Sequence, residues 1–214
     1  MIVAVDGPAA AGKGTLARRI AEHYHLDHLD TGRLYRATAL EALLAGGYPA
    51  DPTVAEAAAT RVGPECLGDP RLKEERVAQA SSVVAAIPGV RAALLAFQRD
   101  FAQRPRGGRG AVLDGRDIGT VVCPEADAKI FVTASVDARA SRRFKELRAA
   151  GVEAIYERVL QDMKDRDARD SGRQVAPLKP ADDAFVLDTT ALGAEAAFAA
   201  AIAYIDGKLA GKSL

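Results

Sequence analysis

At 214 residues, with Lys+Arg and Asp+Glu both numbering 29, the chain is long enough for one core domain with an insertion, and its zero net charge points to neither a nucleic-acid nor a membrane partner. Its 2 cysteines, Cys66 and Cys123, show no CxxC or histidine spacing for a metal, so a reduced cytoplasmic setting is expected. No basic start followed by an apolar segment occurs, nor any apolar run of about 18 residues, which argues against secretion and membrane spanning.

Short β-type runs alternate with longer helical patterns, which predicts an α/β fold with helices on both faces of a parallel sheet. The first strand, residues 2–5, runs into Gly7-Pro8-Ala9-Ala10-Ala11-Gly12-Lys13-Gly14-Thr15, and a helix over residues 13–25 follows. Strand, glycine-bounded turn, lysine and helix together read as a phosphate-binding loop. Glycines let backbone N–H groups wrap a polyphosphate, the helix points its positive end at the same anion, and Lys13 supplies a mobile ammonium. Gly14 stands where a hydroxyl residue usually follows the lysine, and Thr15 comes next. A chance glycine–alanine turn is the plain alternative, and the strand and helix on either side speak against it. His23 and His25 close the helix, where a cation suits the dipole, and His28 precedes the second strand. Their spacing does not converge on a metal.

The second strand, residues 28–29, ends in Leu29-Asp30-Thr31-Gly32-Arg33-Leu34-Tyr35-Arg36, at the sheet edge where open α/β folds bind ligands. Thr31 offers a hydroxyl, Tyr35 an aromatic body and Arg36 a planar fork for a phosphate. A solvated helix start explains Asp30 and Thr31 equally well. Helices are predicted over residues 33–45, 54–61, 73–86 and 90–103, the last opened by Pro88. The stretch from 31 to 110 is too long for a simple crossover and reads as a helical insertion. Gly46-Gly47-Tyr48-Pro49 and Arg106-Gly107-Gly108-Arg109-Gly110 form turns at its edges.

A third strand, residues 111–113, ends in Asp114-Gly115-Arg116-Asp117-Ile118-Gly119-Thr120. Asp114 falls where such folds place a carboxylate beside magnesium-bound phosphates, and Gly115 lets the chain turn so that Arg116 and Asp117 face the same cleft. A surface ion-pair cluster has the same composition. After a strand at 129–133 come helices at 137–149, with Asp137 as its cap, and at 155–166. In the segment from Asp162 to Pro177, Arg166, Arg169 and Arg173 recur at three and four residues and would share a helical face. Asp165, Asp167 and Asp170 keep it nearly neutral, and Ser171-Gly172 ends or hinges the helix. Such a segment suits a mobile lid whose arginines move onto a transferring phosphoryl group; a salt-bridged exposed helix is the simpler reading of the segment alone. A strand at 185–187 and an alanine-rich helix at 194–209 complete the chain. The expected division is a core of residues 1–36, 109–150 and 174–214, an insertion of 37–108 and a lid of 151–173.

The Gly-Lys-Gly-Thr loop resembles that of nucleoside monophosphate kinases more than that of GTPases, and no Asn-Lys-x-Asp segment for guanine occurs. Taken in order, Asp6-Gly7-Pro8 through Thr15, Leu29-Asp30-Thr31-Gly32 with Leu34-Tyr35-Arg36, Val84-Ala85-Ala86-Ile87-Pro88 with Val90-Arg91, Asp114 to Val122, and Arg166-Asp167-Ala168-Arg169-Asp170 with Ala176-Pro177 resemble the bacterial cytidylate kinases over nearly the whole chain. The resemblance implies a P-loop nucleoside monophosphate kinase-like fold: a five-stranded parallel sheet flanked by helices, with a helical monophosphate-binding insertion and a lid. It implies ATP with Mg2+ as donor and CMP or dCMP as acceptor. Residues Gly7 to Thr15 would hold ATP, with Thr15 and Asp114 near the metal, directly or through water. Lys13, Asp114, Arg116, Arg166, Arg169 and Arg173 would serve the transfer itself. Thr31, Arg36, Ser82, Arg91, Arg116, Asp117, Asp170 and Arg173 would form the acceptor site: Arg36, Arg91 and Arg116 near the phosphate, Ser82 and Asp117 at the cytosine edge, Asp170 and Arg173 at the ribose. Residues 61–70 are too few and too turn-rich for the small antiparallel sheet of longer family members, so the insertion is a shortened form. A monomer is expected. Kinases of UMP or AMP, and a non-catalytic module sensing ATP or CTP, are the alternatives.

Overall fold

The strand Ile2–Asp6 (β1) is buried along most of its length, as its unbroken apolar run demands of a strand covered on both faces. The computed structural model describes residues 1–211 and places β1 at the centre of a five-stranded sheet of order β2-β3-β1-β4-β5. The other strands are Asp27–Asp30 (β2), Ala111–Gly115 (β3), Ala128–Thr133 (β4) and Phe185–Asp188 (β5). β1 runs parallel to β3, with Val5 opposite Asp114 and Asp6 opposite Gly115, and parallel to β4, which in turn runs parallel to β5. Asp6, Asp114 and Gly115 therefore lie together at the carboxyl edge.

The chain divides into two compact units: Met1–Leu29 with the chain from Arg104 onward, and Asp30–Gln103. The first unit holds the sheet and the helices Lys13–Tyr24 (α1), Val136–Ala149 (α6), Tyr156–Ser171 (α7) and Ala194–Ala210 (α8). Val3, Val5, Leu16, Ile20, Val112, Ile130, Val132, Leu187 and Ile205 form its main core, between the sheet and α1 and α8. Ser135, two residues before the expected Asp137, caps α6: its hydroxyl accepts from the Ala138 N–H at 3.2 Å. Between β3 and β4 the segment Ile118–Val122 forms one π-helical turn, closed by the Cys123 N–H on the Ile118 carbonyl at 2.7 Å.

The second unit is helical: Gly32–Leu44 (α2), Pro52–Ala59 (α3), Glu75–Val84 (α4) and Pro88–Gln103 (α5). Asp51 caps α3, accepting from the Thr53 N–H at 2.9 Å, with Pro52 in the first helical position. α2 packs against α3 and α4, and α3 against α5, burying Leu34, Leu40, Val77, Val84, Val90 and Leu94. Where the sequence leaves too few residues for a small antiparallel sheet there are two 3-10 turns, Pro64–Gly68 and Pro70–Lys73, and among the described residues between β2 and β3 there is no strand. Each short turn starts on a proline. Among the described residues no single helix is long and apolar enough to cross a membrane.

Candidate active site

The loop from Gly7 to Gly12 leaves β1 and delivers the chain to α1. Gly7 has φ +149°, and a Cβ there would meet the Val132 carbonyl oxygen at 2.0 Å, so the loop passes β4 at a distance only glycine permits. Gly12, with φ +91°, occupies the residue before α1 and has no side chain to cap it. No acidic residue stands in the first turn of α1, so its leading N–H groups face an unopposed positive end. Lys13 Nζ lies 3.4 Å from the Pro8 carbonyl, folded back over the loop. The Thr189 hydroxyl braces the loop from outside, 2.9 Å from the Ala11 carbonyl and 3.1 Å from the Thr133 carbonyl. Arg142 in turn donates to the Thr189 carbonyl at 2.5 Å and to its hydroxyl at 3.1 Å. A cavity of about 270 Å³ opens beside these groups, lined by Ala10, Gly12, Thr15, Arg142, Thr189 and Leu192 among others.

Asp6 ends β1 and accepts from the Ile118 N–H at 2.8 Å and the Gly119 N–H at 2.7 Å, so it holds the first two donors of the π-helical turn. Burial pushes its carboxyl up to about 7, against the pull of those two N–H groups; the nearby Asp117 charge adds to the rise and Arg116 opposes it. Asp114, the last residue but one of β3, is 3% exposed, with Oδ2 2.8 Å from His28 Nε2. It lies across from the loop: a Cβ on Gly14 would sit 3.9 Å from its Oδ1.

Arg116 directly follows β3 and donates through Nε to Asp170 Oδ2 at 2.9 Å. Asp170, 1% exposed, also accepts from Arg173. Burial alone would raise its carboxyl, but the guanidiniums of Arg116, Arg173 and Arg166 outweigh burial and hold it below the ordinary carboxylate range. Arg116, Asp117, Arg166, Asp170 and Arg173 therefore occupy the same unit as the phosphate loop, and four of them gather on one carboxylate system. The expected shared helical face is not what forms. α7 ends at Ser171, so Arg173 lies beyond the helix on the chain that turns back after Gly172. Arg166 and Asp170, four residues apart, share the inner side, while Arg169 is exposed.

The remaining acceptor candidates lie in the second unit. Thr31, 2% exposed, immediately precedes α2, and Ser82, equally buried on α4, donates to the Gln79 carbonyl at 3.1 Å. Arg36 donates to the Leu72 carbonyl at 3.3 Å, so the 3-10 turn at Pro70–Lys73 steadies it. Arg91, 8% exposed, donates to the Ala85 carbonyl at 3.2 Å, its guanidinium 5.4 Å from the centre of the Tyr35 ring.

The sequence model of the family described as cytidylate kinase matches residues 3–207. The chain belongs to the cytidylate kinase family. It is 60% identical over 207 residues to the cytidylate kinase of Paramagnetospirillum magneticum, covering 97% of this chain and 98% of that one. The cytidylate kinase of Rhodospirillum rubrum is 58% identical over 203 residues, covering 94% and 95%. Among solved structures, an uncharacterized protein from Eubacterium ventriosum superposes with a TM-score of 0.54 at 15% identity, covering 97% of this chain and 98% of that one, a likeness of fold alone.

For a cytidylate kinase chain, sequence reasoning missed Asp6, His28, Arg139, Arg142 and Thr189 as parts of this site. Asp6 was legible as the strand residue adjoining the loop. The others carry no local signal, since each owes its place to a partner 28 or more residues away.

Proposed function

We propose that the chain transfers the γ-phosphoryl group of ATP to CMP or dCMP, giving CDP or dCDP and ADP. The observation that carries the reading is the gathering of Arg116, Arg166 and Arg173 on Asp170 within the unit that bears the phosphate loop. Phosphoryl transfer asks for positioning and charge neutralisation, and guanidinium forks supply both. Family membership supports the choice of a cytidylate acceptor.

In this mechanism the loop amides and Lys13 hold the β- and γ-phosphates, and the start of α1 favours their charge. The cavity beside Arg142 and Thr189 takes the donor nucleoside. A magnesium ion fits the donor set here, since the Thr15 hydroxyl and the buried Asp114 carboxylate are the hard oxygen ligands it prefers, directly or through water. Bound there, it would neutralise charge on the phosphates. Arg116, Arg166, Arg169 and Arg173 stabilise the migrating group. Arg36, Arg91 and Arg116 hold the acceptor phosphate, Ser82 and Asp117 read the cytosine edge, Thr31 adds its hydroxyl, and Asp170 with Arg173 holds the ribose. The acceptor is already an anion, so no strong general base is needed. The protein acts as a monomer.

A rate survey of all nucleoside monophosphates with ATP tests the reading. CMP and dCMP should react fastest. Faster reaction of UMP or AMP would overturn the acceptor assignment, and nucleotide binding without diphosphate formation would turn the chain into a sensor.

A further inference from the structure

Arg139, in the first turn of α6 and 5% exposed, ties three parts of the sheet-bearing unit together. Its Nε donates to the Ala134 carbonyl just past β4 at 2.9 Å. Its Nη1 reaches the Ala9 carbonyl of the phosphate loop at 3.4 Å and Asp167 Oδ1 at 3.1 Å, and its Nη2 donates to Asp167 Oδ2 at 2.5 Å. Asp167 sits on α7, directly after Arg166 and two residues before Arg169. An apolar contact doubles the link: Val159 and Met163 of α7 cluster with Ala140 of α6, and Ala9 and Ala10 of the phosphate loop pack against them.

A two-pronged guanidinium–carboxylate pair fixes direction as well as distance, which a lysine cannot do. Apolar packing alone tolerates sliding and rolling of a helix. Each residue of a helix turns it by about 100°, so a roll of one residue would carry Arg166 and Asp170 away from Arg116 together. The Arg139 fork stops that roll and refers it to the loop through Ala9.

We propose that Arg139 is a positioning residue for phosphoryl transfer: through Asp167 it sets the rotation of the lid helix against the phosphate loop, so that Arg166 and the Arg116–Asp170 pair are presented together. The inference rests on the reading that the α7 arginines serve the transferring group. Four single variants and one double test it: Asp167→Asn, Asp167→Glu, Arg139→Lys, Arg166→Ala and Arg139→Lys/Asp167→Asn, each measured for kcat, for KM of CMP and ATP, and for thermal unfolding. Asp167 is 26% exposed on its side chain, so its replacement leaves the core intact. Asp167→Asn should lower kcat about tenfold with both KM values within about twofold and Tm near the parent's, as expected for misplaced transition-state groups. Asp167→Glu should recover much of that loss. Arg139→Lys should match Asp167→Asn, and the double variant Arg139→Lys/Asp167→Asn should be no worse than either single. An Asp167→Asn enzyme with parental kcat, or a double variant whose losses multiply, overturns the proposal. Arg166→Ala separates the two levels. If it keeps parental activity, the lid reading itself fails, whereas a collapse of Arg166→Ala beside a parental Asp167→Asn refutes the positioning role alone.

Discussion

Asp6 accepts the Gly119 N–H at 2.7 Å, so the strand that launches the phosphate loop is tied directly to the turn that follows Arg116 and Asp117. The bond couples the phosphate-loop strand and the turn beyond β3 through one buried carboxylate. A Cβ on Gly119 would sit 3.4 Å from that carboxylate and 3.2 Å from the Lys129 side chain, so the approach is close on both sides.

That carboxylate gives stability a pH dependence. Burial raises it from 3.8 to about 7, so between those values the folded chain binds more proton than the unfolded one. Its contribution is complete below the unfolded value and is lost as pH rises to about 7, by up to about 4 kcal/mol. Asp170 acts in a separate window, because its lowered carboxyl contributes above the ordinary value of 3.8 and is lost only on acidification below it. Urea unfolding of the parent and of Asp6→Asn should therefore diverge across the neutral-to-mildly-acid range, the parent gaining stability as pH falls. A constant difference would show that Asp6 does not titrate there.

Lys13→Ala should cost at least about a hundredfold in kcat, the scale of removing one preorganised charge from a transfer site. Circular dichroism and thermal unfolding should match the parent, because the contact of Lys13 Nζ with the Pro8 carbonyl is long, at 3.4 Å. Retention of most activity would sink the donor-site assignment.

Arg36→Ala and Arg91→Ala should each raise KM for CMP by about ten- to a hundredfold, the value of one charge-assisted hydrogen bond, and leave KM for ATP nearly unchanged. Steady-state kinetics with each nucleotide varied in turn reads this directly. A rise confined to ATP would contradict the division of residues between donor and acceptor.

Two glycines of the loop should behave differently. Gly7→Ala meets the Val132 carbonyl at 2.0 Å as well as a φ of +149°, and should cost more than about 3 kcal/mol of stability or prevent folding. Gly12→Ala meets nothing within 4 Å and carries only the backbone penalty at φ +91°, about 1–2 kcal/mol. Chemical denaturation of the two variants makes the comparison.

Among the described residues, all five strands and all eight α-helices were legible in the sequence, within a few residues at most ends. Their signals are local: apolar runs, Pro88 at a helix start, glycines after strands. The end of α7 was legible in part: Ser171-Gly172 marks the stop that forms, whereas the predicted range of 155–166 left out the last turn, whose Asp167 and Asp170 are held by Arg139, Arg116 and Arg173 through contacts that span the chain. The π-helical turn escaped for the same reason: Ile118-Gly119-Thr120-Val121-Val122 has no turn composition, and the Asp6 carboxylate that holds it lies 112 residues away. Arg139 reads locally as one more surface arginine of α6, and only the fold shows it buried.

The separate packing of residues 30–103 bears on how such an enzyme changes over time. Arg36, Ser82 and Arg91 are steadied by Leu72, Gln79 and Ala85, all within the same stretch of chain. On the roles proposed above, substitutions that retune the hold of Arg36, Ser82 and Arg91 on an acceptor can accumulate in one contiguous segment of the gene, apart from Asp117, while the phosphate loop and its braces stay untouched. The two 3-10 turns at 64–73 carry the Leu72 carbonyl that supports Arg36, so on those roles the segment can be exchanged with its own supports when a different acceptor hold is grafted onto this scaffold.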